Sequence, residues 1–156
     1  MNLKRAYELA AEQFERGADV VFGAAGFAGL GCIQAARDHG RYVVGVDLDQ
    51  TEYAAPRLRD FILTSCLKNF EMLVSAVFKN YMDGTLEFGK TGRLGLKEGA
   101  VGIARWNRFY LSIAPKDVRD RIDDLEEKII NGSIHAQSAF DMTQEEIEEL
   151  LGSVKR

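Results

Sequence analysis

The chain has 156 residues, 46% of them hydrophobic and 28% charged, with a formal net charge of −4. That length suits one compact α/β domain with a sizeable core. The acidic balance, with no basic stripe or aromatic-basic ladder, argues against a nucleic-acid partner, and no apolar run approaches a membrane span.

Leu3 to Arg16 places Ala6, Leu9, Ala10 and Phe14 at helical spacing, and Gly17 stops that helix as a C-cap. The segment lacks the apolar core and cleavage site of a signal peptide, so as written the chain reads as cytoplasmic or as a piece of something longer. Asp19-Val-Val-Phe-Gly-Ala-Ala-Gly-Phe-Ala-Gly29 then gives a short buried strand over about 19–24 that breaks into small residues, followed by a helix from about Ala28 to His39 closed by Gly40. Tyr42-Val-Val-Gly-Val-Asp-Leu-Asp-Gln50 repeats the pattern, with a strand over 42–47. A loop with Pro56 leads to a strand over 60–65, and Asn69 to Met82 reads as a helix with Leu73, Val77 and Tyr81 inward. This order predicts an α/β fold, a doubly wound parallel sheet.

The second half is less regular. One strand is expected around Arg93–Lys97. Pro115 then opens a helix with Val118, Ile122, Leu125 and Ile129 on one face, stopped by Asn131-Gly132. Thr143-Gln-Glu-Glu146 is a capping box for a last helix that is expected to bury Ile147, Leu150 and Leu151. Cys32 and Cys66 lack metal-ligand spacing and read as reduced core thiols, while His39 and His135 read as surface residues.

Open parallel sheets bind ligands beyond the carboxyl ends of their strands, which is where Gly26 and Asp47 fall. A carboxylate at that place accepts hydrogen bonds from vicinal hydroxyls; the competing reading of Asp47 and Asp49 is a helix cap or loop tie. Lys68 sits at the corresponding end of the next strand. Alone it would be an ordinary surface lysine, but with Asp47 it makes a polar pair over one pocket. Two other patterns carry less. Gly84-Thr-Leu-Glu-Phe-Gly-Lys-Thr91 fits the phosphate-loop spacing, yet a helix precedes it and none is expected after it, so a glycine-rich turn is the better reading. Gly23, Gly26, Gly29 and Gly31 do not have dinucleotide-fingerprint spacing, though a side-chain-free turn there lets a ligand approach the backbone.

Four motifs in order, Phe22-Gly-Ala-Ala-Gly26, Gly45-Val-Asp-Leu-Asp-Gln50, Leu63-Thr-Ser-Cys-Leu-Lys-Asn69 and Leu94-Gly-Leu-Lys-Glu-Gly-Ala-Val-Gly-Ile-Ala104, resemble the basic membrane protein family. Those are extracytoplasmic substrate-binding lipoproteins of ABC transporters, including purine nucleoside receptors. Ile129-Ile-Asn-Gly-Ser-Ile134 and the acidic helix after it are similar to that family's ending. The resemblance covers only the C-terminal half of a two-lobed protein. It implies a flavodoxin-like single lobe of a type I periplasmic binding protein spanning residues 1–156, in which 84–133 would cross to the absent lobe. It further implies a non-enzymatic protein without cofactor, whose ligand is a purine nucleoside or a related small molecule. By resemblance Phe22 would stack on the base, the backbone at Gly26 would approach it, and Asp47 and Lys68 would hold the ribose. Phe27 stands where the family usually has a second glycine, so its ring would compete for the base pocket. With one lobe missing, the expected assembly is a homodimer, and the alternative function is a self-associating half-domain that has lost its ligand.

Overall fold

The computed structural model describes residues 2–154. They form two compact units, one running to Asp120 and a helical one from Arg121 onward. The first unit is built on a four-stranded sheet of β1 (Val20–Phe22), β2 (Tyr42–Asp47), β3 (Ile62–Lys68) and β4 (Val101–Ile103), in that spatial order. The first three strands are parallel and β4 is antiparallel to β3. The fold is thus α/β and flavodoxin-like, with a mostly parallel sheet. The strict parallel arrangement ends at β4, a three-residue edge strand, where an antiparallel partner is a common finish to an otherwise parallel sheet.

The core forms where α1 (Leu3–Glu15) and α2 (Gly29–His39) pack together beside β1 and β2. Ala10 and Phe14 of α1 meet Cys32, Ile33, Ala35 and Ala36 of α2, with Val21, Val43 and Ile62 from the strands. Small residues let the two helices approach closely. A Cβ on Gly31 would clash with the Leu3 carbonyl oxygen and lie 2.9 Å from the Tyr7 amide nitrogen. Beside that contact the Tyr7 hydroxyl donates to Asp38 (3.1 Å), whose carboxylate also accepts from Arg37. The Arg37 guanidinium holds Asp38 below the usual carboxylate range, and the Asp38 carboxylate in turn raises the Tyr7 phenol. Whatever this exposed network adds is present above the ordinary carboxylate range and is lost as pH falls through the depressed pKa of Asp38.

Several expectations change. No strand forms at Arg93–Lys97. There the Gly95 amide donates to the Glu98 carboxylate (2.7 Å), and the Gly99 and Ala100 amides close turns on the Leu96 and Gly95 carbonyls. The donors a ladder needs are thus used locally, and the pairing passes to Val101–Ile103. The helix α5 (Phe70–Met82) forms as expected, but Leu73 is only half-buried and Val77 and Tyr81 are exposed. Among the described residues no other element packs extensively on α5. Tyr110, on α6 (Arg108–Ile113), is buried within the chain, while Trp106 is exposed. Val118 and Leu125 of α7 (Lys116–Ile130) are partly exposed. In α8 (Gln144–Val154) the capping box closes as predicted, with the Thr143 amide donating to Glu146 (2.7 Å) and the Glu146 amide to Thr143 Oγ1 (3.3 Å). The Thr143 amide and, second to it, the Thr143 hydroxyl (3.0 Å) donate to the carboxylate and hold Glu146 below its usual pKa. Leu150 and Leu151, however, are exposed and Ile147 half-buried, because the small second unit has too few apolar partners to cover them.

Cys32 is buried and Cys66 half-buried, both as free thiols. His135 is exposed, whereas His39 is half-buried at the end of α2, its ring against Phe14 and its Nδ1 2.9 Å from the Ala35 carbonyl.

Replacing Gly31 with alanine tests the helix contact. Helix propensity alone favours alanine by about 1 kcal/mol, but here rigid backbone stands in the way. Gly31→Ala is expected to destabilise by about 1–3 kcal/mol in urea unfolding. Gly102→Ala, where a Cβ meets nothing within 4 Å, should stay within about 1 kcal/mol of the parent.

Candidate functional site

The carboxyl ends of the three parallel strands bring Phe22, Asp47 and Lys68 to one edge of the sheet. At β1 the chain turns sharply into the one-turn 3₁₀ segment Gly26–Ala28 and then α2. The Gly23 amide stays in the sheet, donating to the Val44 carbonyl (2.9 Å), while the Ala25 amide folds back on the Gly23 carbonyl (2.8 Å). Gly26 has φ +53°, a conformation that suits a residue without Cβ. A Cβ on Gly29 would lie 2.8 Å from the Gly23 carbonyl oxygen, so the turn can be this tight only with glycine there. Phe22 is exposed at the strand end, and Phe27 is exposed on the turn.

At the end of β2 the Leu48 amide donates to the Val46 carbonyl (2.8 Å), closing a three-residue turn around Asp47. Asp47 has φ +69° and is the one non-glycine residue with positive φ among those described. That γ-turn form is rare and strained. The turn aims Asp47 at the next strand, and its Oδ1 lies 3.0 Å from Lys68 Nζ. Both partners are substantially exposed, with 40% and 61% of their side chains accessible.

Asp49 has the other role considered for it. It is buried and caps α3 (Gln50–Tyr53), its Oδ1 accepting from the Thr51 amide (3.1 Å) and the Thr51 hydroxyl (2.7 Å). Behind this cap the Gln50 amide donates to Ser65 Oγ (3.1 Å), and Asn107 reaches Thr51 Oγ1 at 3.5 Å. Thr64 and Ser65 bond across to Ala104, after β4. Ser65, Thr51 and Asn107 therefore support the loop that carries Asp47. No spacing in the sequence pointed to them, because their link joins residues 56 apart in the chain. Asn69 ends β3 by capping α5, its side chain accepting from the Met72 amide (3.0 Å) and its own amide donating to the Ala100 carbonyl (2.8 Å). Burial pushes the Cys66 thiol up, and that of Cys32 as well, away from the thiolate a nucleophile needs. The phosphate-loop look-alike at Gly84–Thr91 follows α5 and leads into no helix among the described residues.

A flavodoxin-like lobe with its polar pair at the carboxyl edge of a parallel sheet has the build of a solute-binding lobe. The chain belongs to the Bmp family, PnrA-like ABC transporter substrate-binding proteins, whose model matches residues 2–139. Basic membrane protein A of Borreliella afzelii is 35% identical over 136 residues, covering 85% of this chain and 39% of that protein. Basic membrane protein A of Borreliella burgdorferi is 32% identical over 153 residues, 96% of this chain and 43% of its own length. Among solved structures, a transcriptional activator of the comK gene from Bacillus halodurans superposes with a TM-score of 0.70 at 25% identity, over 88% of this chain and 45% of that one. An ABC transporter solute-binding protein from Aeropyrum pernix shares the fold, with a TM-score of 0.73 at 20% identity over 96% of this chain and 48% of its own. The chain thus spans less than half the length of these relatives.

Asp47 costs the fold strain and gives little back. A left-handed residue with a Cβ costs about 1 kcal/mol or more, and an exposed ion pair returns about 0–1 kcal/mol. Asp47→Gly should therefore leave urea stability unchanged or raise it by up to about 1 kcal/mol. Asp47→Val, whose branched side chain resists positive φ, should lower stability by about 1–3 kcal/mol. Equal stabilities for the two variants would show that the turn is not strained.

Proposed function

We propose that this chain is a non-enzymatic ligand-binding lobe of the ABC-transporter substrate-binding type, and that its ligand is a purine nucleoside or a closely similar small molecule. Asp47 accepts hydrogen bonds from the ribose hydroxyls, and Lys68 orients that carboxylate while offering its own donors to the sugar. Phe22 supplies an aromatic face for the base, and the turn at Gly26 lets the backbone approach it. One observation carries the reading: a strained aspartate is retained beside an exposed lysine at the ligand edge, where the pair adds almost nothing to stability. Strain of that kind concentrates at binding sites. Delivery to a membrane transporter follows from the family as part of the same proposal, with the rest of the ligand's enclosure supplied from outside this chain.

The second reading is a self-associating half-domain without ligand. It is favoured by Phe27, exposed on the turn where a base would sit.

Half an enclosure leaves one face of the base wet, so affinity is expected in the millimolar range. An NMR titration with inosine, guanosine and adenosine should shift resonances around Asp47, Lys68 and Phe22. Silence there at millimolar nucleoside would remove the binding reading in favour of the second.

Within a binding chain, Asp47→Ala should weaken affinity by about tenfold or more, since hydrogen bonds to a charged group are worth about 1.5–3 kcal/mol. Phe27→Gly should tighten it by clearing the base pocket. Unchanged affinity in both variants would put the ligand elsewhere on the surface.

A further inference from the structure

The helix α7 ends on a dipeptide with chemistry of its own. Of the five asparagines in the chain, Asn131 alone is followed by glycine; Asn2, Asn69, Asn80 and Asn107 precede Leu3, Phe70, Tyr81 and Arg108. Asn131, Gly132 and Ser133 are all exposed. Gly132 has φ +81°, the left-handed form that closes a helix and that glycine takes without steric cost. The Asn131 side-chain oxygen accepts from the Ser133 amide (2.9 Å), which folds the side chain over the peptide link between Asn131 and Gly132. The Gly132 amide donates to the Ile129 carbonyl at 3.2 Å, the long end of the N–H···O range, in a last turn of the kind that frays.

We propose that Asn131 is a site of spontaneous covalent modification, at which its side-chain amide is lost through a cyclic imide formed with Gly132. The Gly132 nitrogen, its proton taken by hydroxide, bonds to Asn131 Cγ. The bond from Cγ to Nδ2 breaks, and that nitrogen leaves as ammonia. Water then opens the five-membered imide at either carbonyl, leaving aspartate or β-linked isoaspartate at position 131. Two features of the turn favour the step. The Ser133 amide draws electron density from the carbonyl under attack, as a donor aimed at a developing oxyanion does. The bare Gly132 leaves the attacking nitrogen unobstructed. Asn107 supplies the contrast within the same molecule. Its oxygen also accepts from the amide two residues on (Phe109, 2.8 Å), but it is buried and Arg108 follows it.

The product alters the end of α7. Isoaspartate adds a methylene to the main chain inside the closure from the Ile134 amide to the Lys128 carbonyl (3.0 Å). Either product places a carboxylate at the C-terminal end of the helix, where the dipole disfavours negative charge. Lys128, the basic residue of that last turn, is already paired with Asp124 (2.6 Å). Modification therefore loosens this turn and makes the chain one charge more negative. The inference concerns the second unit and stands apart from the proposed ligand.

The full chain, incubated in mildly alkaline buffer and digested at intervals, provides the test by peptide mass mapping. The Asn131 peptide should gain about 1 Da, the difference between amide and acid. Its rate should exceed that of any peptide carrying Asn2, Asn69, Asn80 or Asn107 by about tenfold or more, since a side chain on the attacking residue crowds the transition state. The product should accept methyl groups from a carboxyl methyltransferase specific for β-linked aspartate. Gly132→Ala should slow the gain by a similar factor. Because alanine at φ +81° also strains the turn, Asn131→Gln serves as the second variant. Its extra methylene demands a six-membered imide, so the gain should vanish there while far-UV circular dichroism stays unchanged. An Asn131 peptide that gains mass no faster than those of Asn69 and Asn80 overturns the proposal. So does a gain that persists unchanged in Gly132→Ala, or a product of plain aspartate that accepts no methyl groups.

Discussion

The junction of β2 with β3 is the constraint on which the candidate site depends. Gly45 and Ser65 are register partners, and a Cβ at Gly45 would lie 2.6 Å from Gln50 Oε1 and 2.7 Å from Ser65 Oγ. The bare backbone of β2 therefore accommodates both side chains. Ser65 Oγ in turn accepts the Gln50 amide, and the buried Asp49 caps the short helix that Gln50 begins. With that helix fixed, the residues between strand and cap have little freedom, and Asp47 is held in its left-handed turn. Hydrogen bonding in so enclosed a setting is strong and expensive to leave unmade. It can hold a conformation that Asp47 would not choose for itself.

Strain and charge are thereby separated from stability. The Asp47–Lys68 pair is open to solvent, where such pairs contribute little, and the Asp38–Tyr7–Arg37 network joining α1 and α2 is also partly exposed. Stability comes instead from the apolar contact of α1, α2 and the strands, where Ile33, Val43 and Ile62 are completely enclosed. The sheet edge is consequently free to carry polar groups that the fold does not need for stability.

A different imbalance marks the rest of the chain. The first unit gathers its core around α1, α2 and the three parallel strands, while α5 and α8 leave apolar side chains in water. The matched basic membrane proteins are more than twice as long as this chain.

Much of this was legible in the sequence. β1 and β2 announced themselves as apolar runs ending in glycine or aspartate, Gly17 and Gly40 marked helix ends, and Asp47 and Lys68 were placed by the rule that parallel strands present their carboxyl ends to ligand. These are local signals, fixed by backbone preference and by two- or four-residue periodicity. Three matters needed the tertiary structure. Val101–Ile103 rather than Arg93–Lys97 became the edge strand, because turns around Gly95 and Gly99 used the earlier donors first. Asp47 and Asp49, equivalent in sequence, divided into an exposed carboxylate and a buried cap once Thr51, Ser65 and Asn107 came together. Leu73, Val77 and Tyr81 have the spacing of a buried face, yet that face is largely open to solvent. Periodicity tells which side of a helix is apolar, and only the arrangement of the whole chain decides whether anything lies against it.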